Sequence, residues 1–180
     1  DLDGNVGTTT VETVDGSITL IANNTGVAGN FSGIDLELAR IETVNGAISL
    51  TGQGGDNTGA SPSDENDGIS LRGSTIESTG TGTITLDGTA TAGADSDGVD
   101  LDEDDTLVAS TITSVEGAIL ITALSTGADN GFELQGGSTV VSTGTGASAA
   151  TITINGTAEL EGVSIDGIGS AIRSTDGAIR

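Results

Sequence analysis

The sequence predicts an all-β chain wound as a right-handed parallel β-helix, a β-solenoid of about six coils with ~30 residues and three short strands per coil. Three observations carry this expectation. A ten-residue phrase returns along the whole chain, a second phrase interleaves with it at the same period, and the connections vary in length while both phrases stay intact.

The first phrase is "VETVDGSITL" (11–20), repeated as "IETVNGAISL" (41–50) with six of ten residues identical and the rest exchanged for close relatives. Its core, [I/V]-x-[S/T], a Gly-containing turn and x-I-x-[L/I], recurs at "IESTGTGTITL" (76–86), "ITSVEGAILI" (112–121), "VVSTGTGASAATITI" (140–154) and "IRSTDGAIR" (172–180). The second phrase, G-[I/V/F]-x-[L/I], reads "GIDL" (33–36), "GISL" (68–71), "GVDL" (98–101), "GFEL" (131–134) and "GVSI" (162–165). Self-similarity at this period marks a repeat architecture, because one short unit cannot bury an apolar face alone. Within each phrase apolar and polar residues alternate and β-branched residues dominate, the signature of half-buried strands.

The third observation separates a solenoid from a row of hairpins. "VDGS" and "VNGA" are strong hairpin signals, in which Val11 would face Leu20 and Thr13 would face Ile18. The same turn then lengthens to Gly-Thr-Gly and to "TGTGASAA". A hairpin's register depends on its loop length, so such changes would scramble it, whereas a coil stacked on its equivalent lets a loop bulge outward harmlessly. Gly, Asp and Asn at the corners suit positive φ. One column of the interior is expected to hold Ile18, Ile48, Ile84, Ile119, Ile152 and Ile179, and another Leu2, Leu36, Leu71, Leu101, Leu134 and Ile165. Thr13, Thr43, Ser78, Ser114, Ser142 and Ser174 would line an inner corner, their hydroxyls bonded to one another.

Composition narrows the chemistry. There is no Cys and no His, which removes disulfides, thiolate metal sites, the Cys nucleophile and the usual general base. Aromatic residues are confined to Phe31 and Phe132. Acids number 27 against four Arg and no Lys, a net charge of −23 that repels nucleic acid and anionic membranes. No apolar run reaches the ~20 residues of a membrane span. Residues 1–180 read as a single β-solenoid segment, broken in mid-unit at both ends and so expected to be an internal fragment of a longer array.

The pattern [I/V]-x-[S/T]-x-x-G-x-I-x-L, with Gly-rich loops such as "TGQGGDNTGA" (51–60), resembles the repeats of filamentous haemagglutinin-like large bacterial exoproteins. The resemblance covers the whole chain. It implies a secreted or surface-held β-helical rod used in adhesion, biofilm or contact-dependent interaction, and it carries over no functional residues.

Sites are sought on the outward faces. Glu12, Glu42 and Glu77 are expected to stack on successive coils, as are Asp1 and Asp35, then Asp100 and Glu133 beyond an intervening Ser70. Like charges directly opposite destabilise a sheet, so such ladders call for salt screening or divalent cations. The densest acidic run, "ADSDGVDLDEDD" (94–105), nominates Asp95, Asp97, Asp100, Asp102 and Asp104 for Ca²⁺, although it matches neither an EF-hand loop nor a Ca²⁺-binding β-roll repeat. No cofactor is otherwise required.

The expected role is an extracellular or cell-surface structural or adhesive rod without catalysis. It would self-associate end to end or laterally, bind no nucleic acid, insert in no membrane, and meet cell-surface or matrix glycans. A polysaccharide-acting or -binding β-helix is the first alternative. An ice- or mineral-binding face is the second, built on the outward Thr residues of the x-I-x-L strands such as Thr19, Thr85 and Thr153.

Overall fold

A computed structural model describes residues 2–3, 9–56, 66–91, 95–127 and 129–180. Three parallel sheets run the length of the molecule, and each coil contributes one strand to each sheet. The G-[I/V/F]-x-[L/I] phrase forms the first sheet: β1 (Leu2–Asp3), β4 (Ile34–Glu37), β7 (Ile69–Arg72), β10 (Val99–Asp102), β13 (Phe132–Leu134) and β16 (Val163–Ile165). The [I/V]-x-[S/T] segments form the second: β2 (Thr9–Thr13), β5 (Ala39–Thr43), β8 (Thr75–Ser78), β11 (Thr111–Ser114), β14 (Thr139–Ser142) and β17 (Ala171–Ser174). The x-I-x-[L/I] segments form the third: β3 (Ile18–Ala22), β6 (Ile48–Gln53), β9 (Ile84–Ala90), β12 (Ile119–Ser125) and β15 (Ile152–Thr157). The result is a β-solenoid of about 5 turns.

Every strand pairs in parallel with its equivalent one coil away. The register is the one that the repeat dictates: Ile18, Ile48, Ile84, Ile119 and Ile152 are successive partners, and so are Leu36, Leu71, Leu101 and Leu134. Leu2 pairs with Leu36 in the same register. Ile48 to Ile152 in one column and Leu36 to Leu134 in the other are essentially sealed from solvent, and Ile18 is 8% exposed. Each such side chain contributes roughly 1.5–3 kcal/mol on burial. Phe132 replaces an aliphatic residue in the column of Ile34, Ile69 and Val99 and is fully buried. At the last coil, Ile165 and Ile179 are about half exposed (48% and 49%), since a single neighbouring coil covers them.

Two expectations change in detail. The corner glycines Gly46, Gly82 and Gly117 do not adopt positive φ. They are glycine because a Cβ there would overlap the backbone carbonyl of the preceding coil's corner: Gly16 below Gly46, Gly46 below Gly82, Gly82 below Gly117. The Asp-Gly and Asn-Gly turns are therefore tight stacking corners between the second and third sheets, not hairpin turns. The inner-corner hydroxyls also do not bond one another. Thr43 Oγ1 donates to the Val14 carbonyl and Ser78 Oγ to that of Val44, each at 3.4 Å, while Ser114 Oγ donates to the Gly117 carbonyl of its own corner. Ser142 and Ser174 Oγ are buried without a partner.

Candidate functional site

The outward row of the first sheet reads Asp35, Ser70, Asp100, Glu133 and Ser164 on successive strands. An outward row is normally wet, yet Ser70, Asp100 and Ser164 are 2%, 8% and 7% exposed. The segments leading into the first sheet stack alongside it and account for part of this cover. Gly33, Gly68 and Gly98 donate their amides to the carbonyls of Asp67, Asp97 and Asn130, so the entry segment of each coil is bonded to the next. Side chains reinforce the stack: Asp67 Oδ1 accepts the Asp97 amide at 2.8 Å, and Asp97 Oδ1 accepts the Asn130 amide at 2.9 Å.

Between the entry stack and the outward row lies an acidic cleft of ≈ 400 Å³, lined by Asp67, Asp97, Asp100, Asp129 and Glu133 among others and by no basic residue. One carboxylate oxygen from each of Asp97, Asp100 and Glu133 lies within 4.8 Å of the others. Two charges at that separation repel by about 3 kcal/mol at an effective dielectric constant near 20. The protonation equilibria respond as expected. Burial, then the carboxylates of Asp129, Glu133 and Asp67, push Asp97 up to about 9. Asp100 is also raised well above the carboxylate range, by burial first and then by Asp67 and Asp97. Burial raises Asp129 and Glu133 in the same direction. All four shifts run the same way, toward the protonated form, because burial and neighbouring carboxylates both disfavour charge here.

Of the residues nominated in the acidic run, Asp95, Asp97 and Asp100 line this cleft, and Asp102 and Asp104 do not. Asp102 lies in register with Arg72, and its Oδ1 accepts the Glu103 amide. Asp104 organises the following turn, accepting the amides of Thr106 and Val108 and the Thr106 hydroxyl. Those bonds, the Val108 amide foremost, hold its carboxyl below the ordinary range. The residues that complete the cleft come from neighbouring coils: Asp67 before, Asp129 and Glu133 after. Their signal is the Asx-containing step before the three central G-[I/V/F]-x-[L/I] phrases, "NDG" (66–68), "SDG" (96–98) and "DNG" (129–131), which recurs on successive coils.

The second-sheet ladder forms as expected, with Glu12, Glu42 and Glu77 successive partners. Its counter-charge is internal. Arg40 reaches Glu42 Oε2 at 2.8 Å and Glu77 Oε2 at 2.6 Å, and these carboxylates raise the Arg40 pKa. In the first sheet Arg72 pairs with Asp35 at 3.1 Å. Asp1 lies outside the described residues.

Chemically, the cleft can bind a cation or store protons. Glycoside hydrolysis sets its two carboxyl groups about 6.5–9.5 Å apart when it inverts and about 5–5.5 Å apart when it retains, and the close spacing of the trio here departs from the inverting arrangement alone. A glycan cleft also relies on aromatic platforms, and neither phenylalanine lines this one. The outward third-sheet row runs Thr19, Ser49, Thr85, Leu120 and Thr153, so Leu120 interrupts the hydroxyls, and the parallel row includes Ile21 and Asp87. Comparison with protein-family models, curated proteins and solved structures gave no match to this chain.

Proposed function

We propose that the chain is a rod segment of an extracellular, filamentous haemagglutinin-like exoprotein, with a structural or adhesive role and no catalysis. One observation carries this reading. The three ladders run through the coils without a break in register, and loop insertions fall outside them. Such a stack resists bending because each coil is bonded to the next along three sheets, and its net charge of −23 keeps it dispersed. Contacts with matrix glycans or with further rods, end to end or lateral, would be made by the exposed loops and outer rows.

Negative-stain imaging of the native protein tests the reading. Uniform rods whose length grows by ~4.8 Å per coil are expected. Discrete globular particles, or release of reducing ends from a panel of acidic polysaccharides, would replace it with the enzymatic alternative.

A further inference from the structure

We propose that the acidic cleft is a Ca²⁺ site in which one ion is held by Asp97, Asp100 and Glu133 and thereby joins two successive coils. Asp97 and Asp100 belong to one coil, Glu133 to the next, and Asp100 and Glu133 are direct partners across the first sheet. Their nearest oxygens lie within 4.8 Å of one another. Oxygens within that reach can converge on one ion, and Ca²⁺, with bonds of ~2.4 Å and a flexible shell, asks for less closure than Mg²⁺, with ~2.1 Å bonds and a strict octahedron. The donors are all hard oxygens, in a chain with neither His nor Cys.

A second observation, independent of the acid density, points to a ligand. Asp100 is 8% exposed and lines the cleft, and its Oδ1 has no hydrogen-bond partner. The other buried aspartates, Asp67, Asp97 and Asp104, each accept a backbone amide. Beside Asp100 in the same row, Ser70 is 2% exposed and its Oγ is likewise unpartnered. A buried carboxylate oxygen with no donor is costly and asks for a counter-ion. Elsewhere arginine supplies it, Arg40 for Glu42 and Glu77 and Arg72 for Asp35, whereas no basic side chain lines the cleft. A divalent ion answers Asp100 and relieves the repulsion among the three carboxylates together. The open part of the cleft leaves room for the waters that complete a shell of about 6–8 oxygens, with Asp67 and Asp129 as outer carboxylates.

The test is isothermal titration of CaCl₂ and of MgCl₂ into the purified protein stripped of metal on a chelating resin, at salt high enough to screen diffuse attraction. One Ca²⁺ per chain, weaker Mg²⁺ binding and a higher melting temperature with Ca²⁺ are expected. Asp100→Asn and Glu133→Gln should each weaken Ca²⁺ binding at least about tenfold. Asp87→Asn, which removes an exposed carboxylate from the third sheet, should leave it unchanged. Asp100→Asn removes a buried charge without changing volume, so its metal-free melting temperature should hold or rise, which separates a lost ligand from a lost fold. Glu133→Gln, at a half-buried position, keeps the test decisive if Asp100→Asn fails to fold. Absence of saturable Ca²⁺ binding, equal affinity in all three variants, or tighter Mg²⁺ than Ca²⁺ would overturn the proposal. The rod reading is judged separately by imaging.

Discussion

Replacing Gly117 with alanine presses directly on the stacking of coils. Gly117 turns the chain from β11 to β12 with an ordinary φ, so alanine meets no backbone penalty there. The added Cβ instead overlaps the carbonyl oxygen and carbon of Gly82 one coil away. To restore normal contact the corner must open against the bonds that flank it, Glu116 N–H to the Gly80 carbonyl at 3.0 Å and Ile84 N–H to the Ala118 carbonyl at 2.9 Å. Overpacking costs ~1–3 kcal/mol and a weakened corner bond up to ~1 kcal/mol, offset by ~0.4–1 kcal/mol from the stiffer unfolded chain, for a net loss of about 2 kcal/mol. Gly146→Ala is the reference. Gly146 has φ +75° but nothing within 4 Å of a Cβ, so its cost is conformational alone, about 1 kcal/mol after the same offset. Urea unfolding followed by far-ultraviolet circular dichroism should give a lower midpoint for Gly117→Ala than for Gly146→Ala. The opposite order, or a neutral Gly117→Ala, would refute the claim that these glycines exist for coil-to-coil approach.

Leu101→Ala, at a fully buried position in the middle of its column, should cost ~2–5 kcal/mol in the same assay, and a loss under ~1 kcal/mol would mean that the column is not close-packed. Arg40→Gln leaves Glu42 and Glu77 stacked without their cation; a loss of ~0.5–1 kcal/mol is expected at low salt, and it should shrink toward zero in ~1 M NaCl. A salt-independent loss would assign Arg40 a packing role instead. For the metal-free protein the raised Asp97 carboxyl sets the pH response. Its stabilising contribution is complete below the unfolded value of ~3.9 and is lost as pH climbs to about 9. The urea midpoint in excess chelator should therefore fall steadily between pH 5.5 and 8.5, and Asp97→Asn should flatten that slope. A midpoint that rises with pH would contradict the burial of these carboxyls.

The winding was legible because each coil carries the same instruction. Ile18, Ile48, Ile84, Ile119 and Ile152 fall at one place in the repeat, and parallel stacking is the arrangement that seals them all. What the glycines do was less legible. Asn45-Gly46 looks like a hairpin turn along the chain, and the clash that requires glycine there comes from Gly16, thirty positions away. The acidic cleft shows the same limit. The run from Asp95 to Asp105 suggested a local loop site, but Asp102, two residues along the same outward face as Asp100, lies past the cleft in register with Arg72, while Asp104 is consumed by its own turn. Glu133 and Asp67 are each distant in sequence from Asp97 and Asp100 and lie on the coils on either side of them, where strands are ~4.8 Å apart. The burial of Asp100 depends on how the entry segments pack beside the first sheet, which residue alternation does not encode.

The central claim is that equivalent segments pair in parallel across coils and not with their chain neighbours, and the chain's lack of cysteine lets it be tested cleanly. Leu120 faces Thr85 in the coil-to-coil register, whereas a hairpin through "SVEG" would set it against Thr113. Two double variants, Thr85→Cys with Leu120→Cys and Thr113→Cys with Leu120→Cys, can be oxidised under native conditions and scored by peptide mapping. The parallel pair has the Cα spacing of ~4.8 Å that a disulfide accepts, and it should cross-link rapidly while the second stays reduced. Rapid cross-linking of Thr113→Cys to Leu120→Cys, with the Thr85 pair unreactive, would contradict the solenoid outright.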